Sequence, residues 1–173
     1  MFLQLFISLF LFFSYNQSPS KQLTDSYVIY AMKHKLHAWE GTNDKINVAT
    51  KWDDKNELEQ ISVLIKVSHF NSGLSNRDSH MLEVLDAITY PNITFSSTSL
   101  IKTTTGVIAK GRLQFHGVSK EIQVPVELEK TNEFKKFKGN FSILLDDYKI
   151  TRPSLLFVKV DNELKIRFQF SLK

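Results

Sequence analysis

Val107-Ile108-Ala109-Lys110-Gly111-Arg112-Leu113-Gln114-Phe115 sets apolar or small side chains at every second place and Lys110, Arg112 and Gln114 between them. A period of two, rather than 3.6, belongs to a β-strand with one dry face. The same reading extends in both directions. Ile61, Val63, Ile65 and Val67 alternate with Ser62, Leu64, Lys66 and Ser68, and further apolar sets are Ile122, Val124, Val126 and Leu128, then Phe141, Ile143 and Leu145. At the C-terminus Leu164, Ile166, Phe168, Phe170 and Leu172 stand opposite Lys165, Arg167, Gln169, Ser171 and Lys173. Tyr27–His37, Lys45–Trp52 and Asn92–Ile101 bring the strands to about eight, with turns expected at Gly41-Thr42-Asn43-Asp44, Gly106, Gly117 and Gly139. One segment breaks the period. Met81, Val84, Leu85 and Ile88 recur at helical spacing, which predicts a helix over residues 77–88, capped by Asn76 or Asp78 and ended before Tyr90-Pro91.

Strands with one dry face must bury it, and a two-sheet sandwich or a closed barrel would both do so; closure also removes exposed edges. The expected fold is all-β, an eight-stranded antiparallel barrel with one short helix near an end. Composition agrees with a single folded domain. The chain has 173 residues, 42% hydrophobic and 23% charged, with a net charge of +4 and no cysteine. Those values exclude a disordered chain, a disulfide scaffold, thiolate catalysis and Cys-type zinc or iron–sulfur sites. With so small a net charge and no recognition motif, nucleic acid is not an expected partner. Apolar residues crowd the start: Met1–Phe13 carries no charge, and Ser14, Ser18 and Ser20 follow it. Residues 1–20 therefore read as a signal peptide and 21–173 as the mature domain, bound for the periplasm or secretion.

Two stretches carry more than alternation. Phe70–Met81 contains Asn76-Arg77-Asp78-Ser79-His80-Met81 and leads to Tyr90-Pro91-Asn92-Ile93-Thr94-Phe95, while Gly111–Ile122 contains Leu113-Gln114-Phe115-His116-Gly117-Val118-Ser119-Lys120. Together they resemble the YceI-like family, which pairs an R-D-x-H-[LM] helix start and a Y-P-x-I-x-F strand with a G-x-L-x-x-H-G-V-[TS]-K segment. The resemblance implies a lipocalin-like β-barrel, usually exported, that binds a long isoprenoid or similar amphiphilic chain. It does not imply catalysis or a cofactor other than such a lipid, an isoprenoid quinone or polyprenyl, as ligand.

On that basis the lumen-facing, ligand-binding set is Val63, Ile65, Val67, Phe95, Leu113, Phe115, Val124, Val126, Phe141, Ile143, Phe168 and Phe170. Periodicity alone reads the same residues equally as a filled core. Asn76, Arg77, Asp78, His80 and His116 are the candidates for a polar mouth or for structural ties. A relay from Asp78, Ser79 and His80 is not expected, since adjacent helical side chains diverge. His34, His37, His69, His80 and His116 show no metal-ligand spacing; with His34 and His37 on one strand, an odd spacing sends them to opposite faces. Lys130, Lys135, Lys136 and Lys138 around Phe134 and Phe137 are either a solvated loop or a transient membrane contact. A homodimer is left open. The function expected is storage or transport of an isoprenoid lipid, against an enzyme acting on such a lipid or an interaction protein with a filled core.

Overall fold

The computed structural model describes residues 25–173, so the expected signal peptide lies outside the described residues. In chain order the strands are β1 (Tyr27–His34), β2 (His37–Asn43), β3 (Ile46–Trp52), β4 (Leu58–Lys66), β5 (Asn92–Lys102), β6 (Gly106–Phe115), β7 (Val118–Lys130), β8 (Lys135–Leu144), β9 (Ser154–Leu155), β10 (Val158–Lys159) and β11 (Glu163–Leu172). Helix α1 (Ser75–Val84) stands between β4 and β5. Nine strands form one antiparallel sheet in the order β2-β1-β11-β8-β7-β6-β5-β4-β3, and β9 and β10 make a separate hairpin. The fold is the expected all-β class, a strongly curled sheet with nine strands where about eight were read. The difference arises because Tyr27–His37 is not one strand: β1 ends at His34, the chain reverses at Lys35-Leu36, and His37 opens β2 as the partner of His34.

The curling follows from connectivity. The two edge strands, β2 and β3, are consecutive in the chain, separated only by Asp44 and Lys45. Three Cα steps span no more than about 11 Å, so the sheet must bend until its edges meet there. The meeting point is a polar seam. Thr42 and Asn71 exchange backbone hydrogen bonds of 2.9 Å each. Asn43, 0% exposed, donates from Nδ2 to the Lys66 carbonyl at 3.1 Å and accepts at Oδ1 from the Lys45 N–H at 2.8 Å.

Two glycines expected in turns lie inside strands instead. Gly41 pairs with Tyr30 and Gly139 with Phe168, and a Cβ at either would overlap the facing ring. Each aromatic ring lies over a strand glycine and hides its backbone from water. Gly106 opens β6. Gly117 is a true turn residue: with His116 it forms the two-residue β6–β7 loop, both at positive φ (49° and 73°), the pattern of a type I′ hairpin.

The β7–β8 ladder is short, running from Glu127↔Lys138 to Lys130↔Lys135. Pro125 offers no N–H to prolong it, and beyond that point β8 continues to pair with β11. An ion pair of 2.7 Å from Lys120 to Asp147 crosses from β7 to the turn that follows β8.

Helix α1 ends earlier than the apolar spacing predicts. Asp86 takes a left-handed φ of 41°, its N–H bonds the Glu83 carbonyl, and the Ala87 N–H bonds the Leu82 carbonyl. That is a Schellman closure with aspartate in the usual glycine place. Ile88, expected on the buried face, is consequently 97% exposed. Neither expected residue caps the start. Leu74 holds that place without a side-chain bond, and Asp78 instead accepts the Ser72 N–H at 3.1 and 3.2 Å.

The Asn43→Leu variant, close in shape but unable to hydrogen-bond, strands the Lys66 carbonyl and the Lys45 N–H. It should lose about 2–3 kcal/mol in urea unfolding; a loss near zero would mean the seam does not hold the edges.

Candidate functional site

The inward faces of the curled sheet do not fill its interior. They line an apolar cavity of about 230 Å³, contributed by β1, β2, β4–β8 and β11, by Met81 and Val84 of α1 with Leu85 just after it, and by Ile150, Pro153 and Val160 near the β9–β10 hairpin. Val63, Ile65, Phe95, Leu113, Phe115, Val124, Val126, Phe141, Ile143, Phe168 and Phe170 all line it. Val67 does not. It is buried, but the chain leaves β4 at Lys66 and turns into a 3-10 helix over Val67–His69, which ends the alternation one residue before Val67.

Polar atoms gather at one end. Among the lining side chains only Tyr30, Trp39, Arg77 and His80 carry a nitrogen or oxygen. The Arg77 guanidinium carbon lies 5.6 Å from the centre of the Trp39 ring, a cation–π contact that fixes α1 over β2. Burial raises the Tyr30 phenol above the ordinary tyrosine range, and the nearby Asp78 charge adds to the rise; a hydrogen bond with Trp39 and the Arg77 charge act the other way. His80 stands 3.4 Å from Glu83 one turn along the helix.

The other expected polar residues serve the frame. Asn76 is exposed, Asp78 holds the chain ahead of α1, and His116 bonds the Tyr148 carbonyl at 3.0 Å while its ring meets Tyr90 edge-on. Asp78, Ser79 and His80 form no relay, since Asp78 is turned to Ser72 and His80 to Glu83. His34 and His37, placed on opposite faces of one strand by the sequence reading, are hairpin partners with ring centres 5.8 Å apart. The basic residues near β8 are largely engaged: Lys130 and Lys135 lie over the Trp52 ring at 4.6 and 4.9 Å, Lys136 pairs with Asp25 at 3.0 Å, and Phe137 is core.

The lining residues that sequence reasoning missed include four on β1 and β2, with others on α1, on the remaining strands and around the β9–β10 hairpin. Val28, Tyr30 and Met32 do alternate, but Trp39 follows a chain reversal that no glycine or proline marks.

A YceI-like domain matches residues 21–172. The chain belongs to the YceI-like family. Among curated relatives, a UPF0312 protein of Yersinia enterocolitica is 25% identical over 141 residues, covering 76% of this chain and 73% of that one. Several solved structures share the fold, two of them as follows. BcnA of Burkholderia cenocepacia superposes with a TM-score of 0.77 at 21% identity, covering 86% of this chain and 96% of the other. A polyisoprenoid binding domain from Saccharophagus degradans gives 0.73 at 14% identity, over 90% and 99%.

Tyr148, which backs the cavity wall through its contact with Phe115 at 5.6 Å, supplies a pH test. Burial, with the Asp147 charge second, pushes its phenol from 10.0 up to about 12. A raised folded-state value means stability that is intact below pH 10 and falls as the pH climbs from 10 toward 12. In native protein the Tyr148 phenolate should therefore appear only near the top of that range, and Tyr148→Phe should remove one late-ionising phenol and reduce the alkaline loss of stability.

Proposed function

We propose that this protein is a carrier that holds the tail of a long isoprenoid, a quinone or polyprenyl lipid, inside the sheet, with the polar head at the Tyr30–Trp39–Arg77–His80 end. The observation that carries the reading is the segregation of the cavity: a wholly apolar body with its polar atoms at one end, which is the shape of an amphiphile in negative. A filled core would leave no such space. The solved relative described as a polyisoprenoid binding domain supports the same class of ligand.

Energetics favour a tail without specific polar readout. Each methylene removed from water is worth ~0.8 kcal/mol, so ten would supply about 8 kcal/mol before ordering costs. Chain length and thickness would be selected more strongly than head-group chemistry. The polar end could orient the head through the Arg77 guanidinium and the Tyr30 hydroxyl, and the residues there suit binding rather than bond breaking. The apolar start at residues 1–20 supports a role outside the cytoplasm, in storage or transfer of the lipid. Among the described residues no helix is long and apolar enough to cross a membrane.

Organic extraction of the purified protein followed by mass spectrometry should recover a long-chain isoprenoid, or the protein should take one up when it is added. Val126→Trp places an indole in the cavity and should cut loading severely, at an overpacking cost of about 1–3 kcal/mol; Val124→Phe is the milder companion should that variant fold poorly. Empty wild-type protein that also refuses added isoprenoid contradicts the reading.

A further inference from the structure

The hairpin β9–β10 rises from the cavity wall: Pro153 and Val160, on either side of it, both line the cavity, and the Val160 N–H bonds the Pro153 carbonyl at 3.0 Å. Its loop is Leu156-Phe157, with φ of 50° and 66°. Two central residues at positive φ make this the same kind of turn as His116-Gly117, but here both places hold large side chains in a region where L residues are strained and Asn-Gly is preferred. Neither gains burial in return. Leu156 is 72% exposed and Phe157 103%.

A second apolar tip stands beside the first. Leu36, in the β1–β2 loop, is 65% exposed. The two are buckled together by His34, which is 2% exposed. Its Nδ1 accepts the Leu36 N–H at 3.3 Å, so the proton sits on Nε2, which donates to the Val158 carbonyl at 3.0 Å. The Asp161 N–H adds a bond to the Lys33 carbonyl at 2.8 Å. The tips are thus held as one surface, and at its base lie Met32, Trp39 and Val160 of the cavity.

The charge around them has one sign in excess. Over residues 33–38 and 154–161 the charged side chains are Lys33, Lys35 and Lys159 against Asp161. The three lysines are exposed and make no ion pair among the described residues. A strained turn at Leu156-Phe157 and the Leu36 loop beside it, both projecting apolar side chains into water among cations that make no ion pair in the described residues, match the chemistry of an interface where acyl chains lie under anionic headgroups.

We propose that the Leu36 and Leu156-Phe157 tips are a membrane anchor that inserts into the surface of an anionic bilayer and brings the cavity mouth against it. Passage of a lipid tail between bilayer and cavity rests on the carrier reading above; the anchoring itself does not.

The test uses the full chain and vesicles of phosphatidylcholine with or without phosphatidylglycerol. Emission of the indole introduced by Phe157→Trp should shift to the blue on anionic vesicles and be quenched by lipids brominated along the acyl chain, beyond any change in wild-type emission. The double variant Leu156→Asn/Phe157→Gly supplies the residues the turn prefers, so it should melt no lower than wild type while its partitioning onto vesicles falls about tenfold or more. Lys35→Gln/Lys159→Gln should erase most of the preference for phosphatidylglycerol. An indole that stays water-exposed and unquenched, or a double variant that partitions like wild type, overturns the anchor. Isoprenoid content and uptake measured on the same preparations separate the two ideas: a protein that carries no isoprenoid and takes up none when it is added, but whose tips still insert, refutes the carrier and leaves the anchor standing, while a loaded protein whose tips stay in water does the reverse.

Discussion

The structure depends on the seam where the two edges of one sheet are forced together by a two-residue connection. A sheet with a dry face has to cover that face, and here it does so by curling on itself, with β2 and β3 as neighbours in the chain and opposite ends of the strand order. Asn43 is the one fully buried side chain that pairs backbone groups from both sides of the junction. Buried amides are costly when unpaired and modestly favourable when paired, so this residue acts chiefly by specifying where the edges meet. The enclosed interior, the helix laid across it and the single polar end all follow from that closure.

Closure alone does not decide whether the interior is solid. The side chains that face it are large, yet a cavity remains, and two of the rings, Tyr30 over Gly41 and Phe168 over Gly139, lie along the wall against a glycine of the neighbouring strand. Gaps in a packed core are unfavourable, since their lining forgoes dispersion contacts. An apolar tail would restore those contacts, which gives the space a physical purpose that a defect in packing lacks. The β9–β10 turn beside the cavity shows the complementary feature: stability is given up at Leu156 and Phe157 for a turn that plain folding would fill with asparagine and glycine.

Much of this was legible in the sequence and some was not, for reasons particular residues make plain. Strong alternation on β6, β7, β8 and β11 placed Leu113, Val124, Ile143 and Phe168 on the inner face, because a period of two leaves no other choice once one face is dry. Where the period stopped, the reading failed. Val67 continues the pattern by spacing but lies past the point where the backbone leaves the strand. Gly41 and Gly139 looked like turn residues, since a sequence does not show the ring across the strand that makes glycine necessary. Ile88 fits a helical stripe, yet the Schellman bonds at Asp86 and Ala87 close the helix before it. The β9–β10 hairpin carries no turn signal, and its Leu-Phe loop runs against turn propensity, so local preference gives no sign of it.

On the carrier proposal, the cavity is a site for an apolar tail of finite length. Calorimetric titration of the protein with isoprenoid alcohols of increasing length tests it most directly. Affinity should climb with each added isoprene unit and level off once the cavity is full, with a negative heat-capacity change that grows in step. Affinity that ignores chain length, or no binding at any length, would contradict the account.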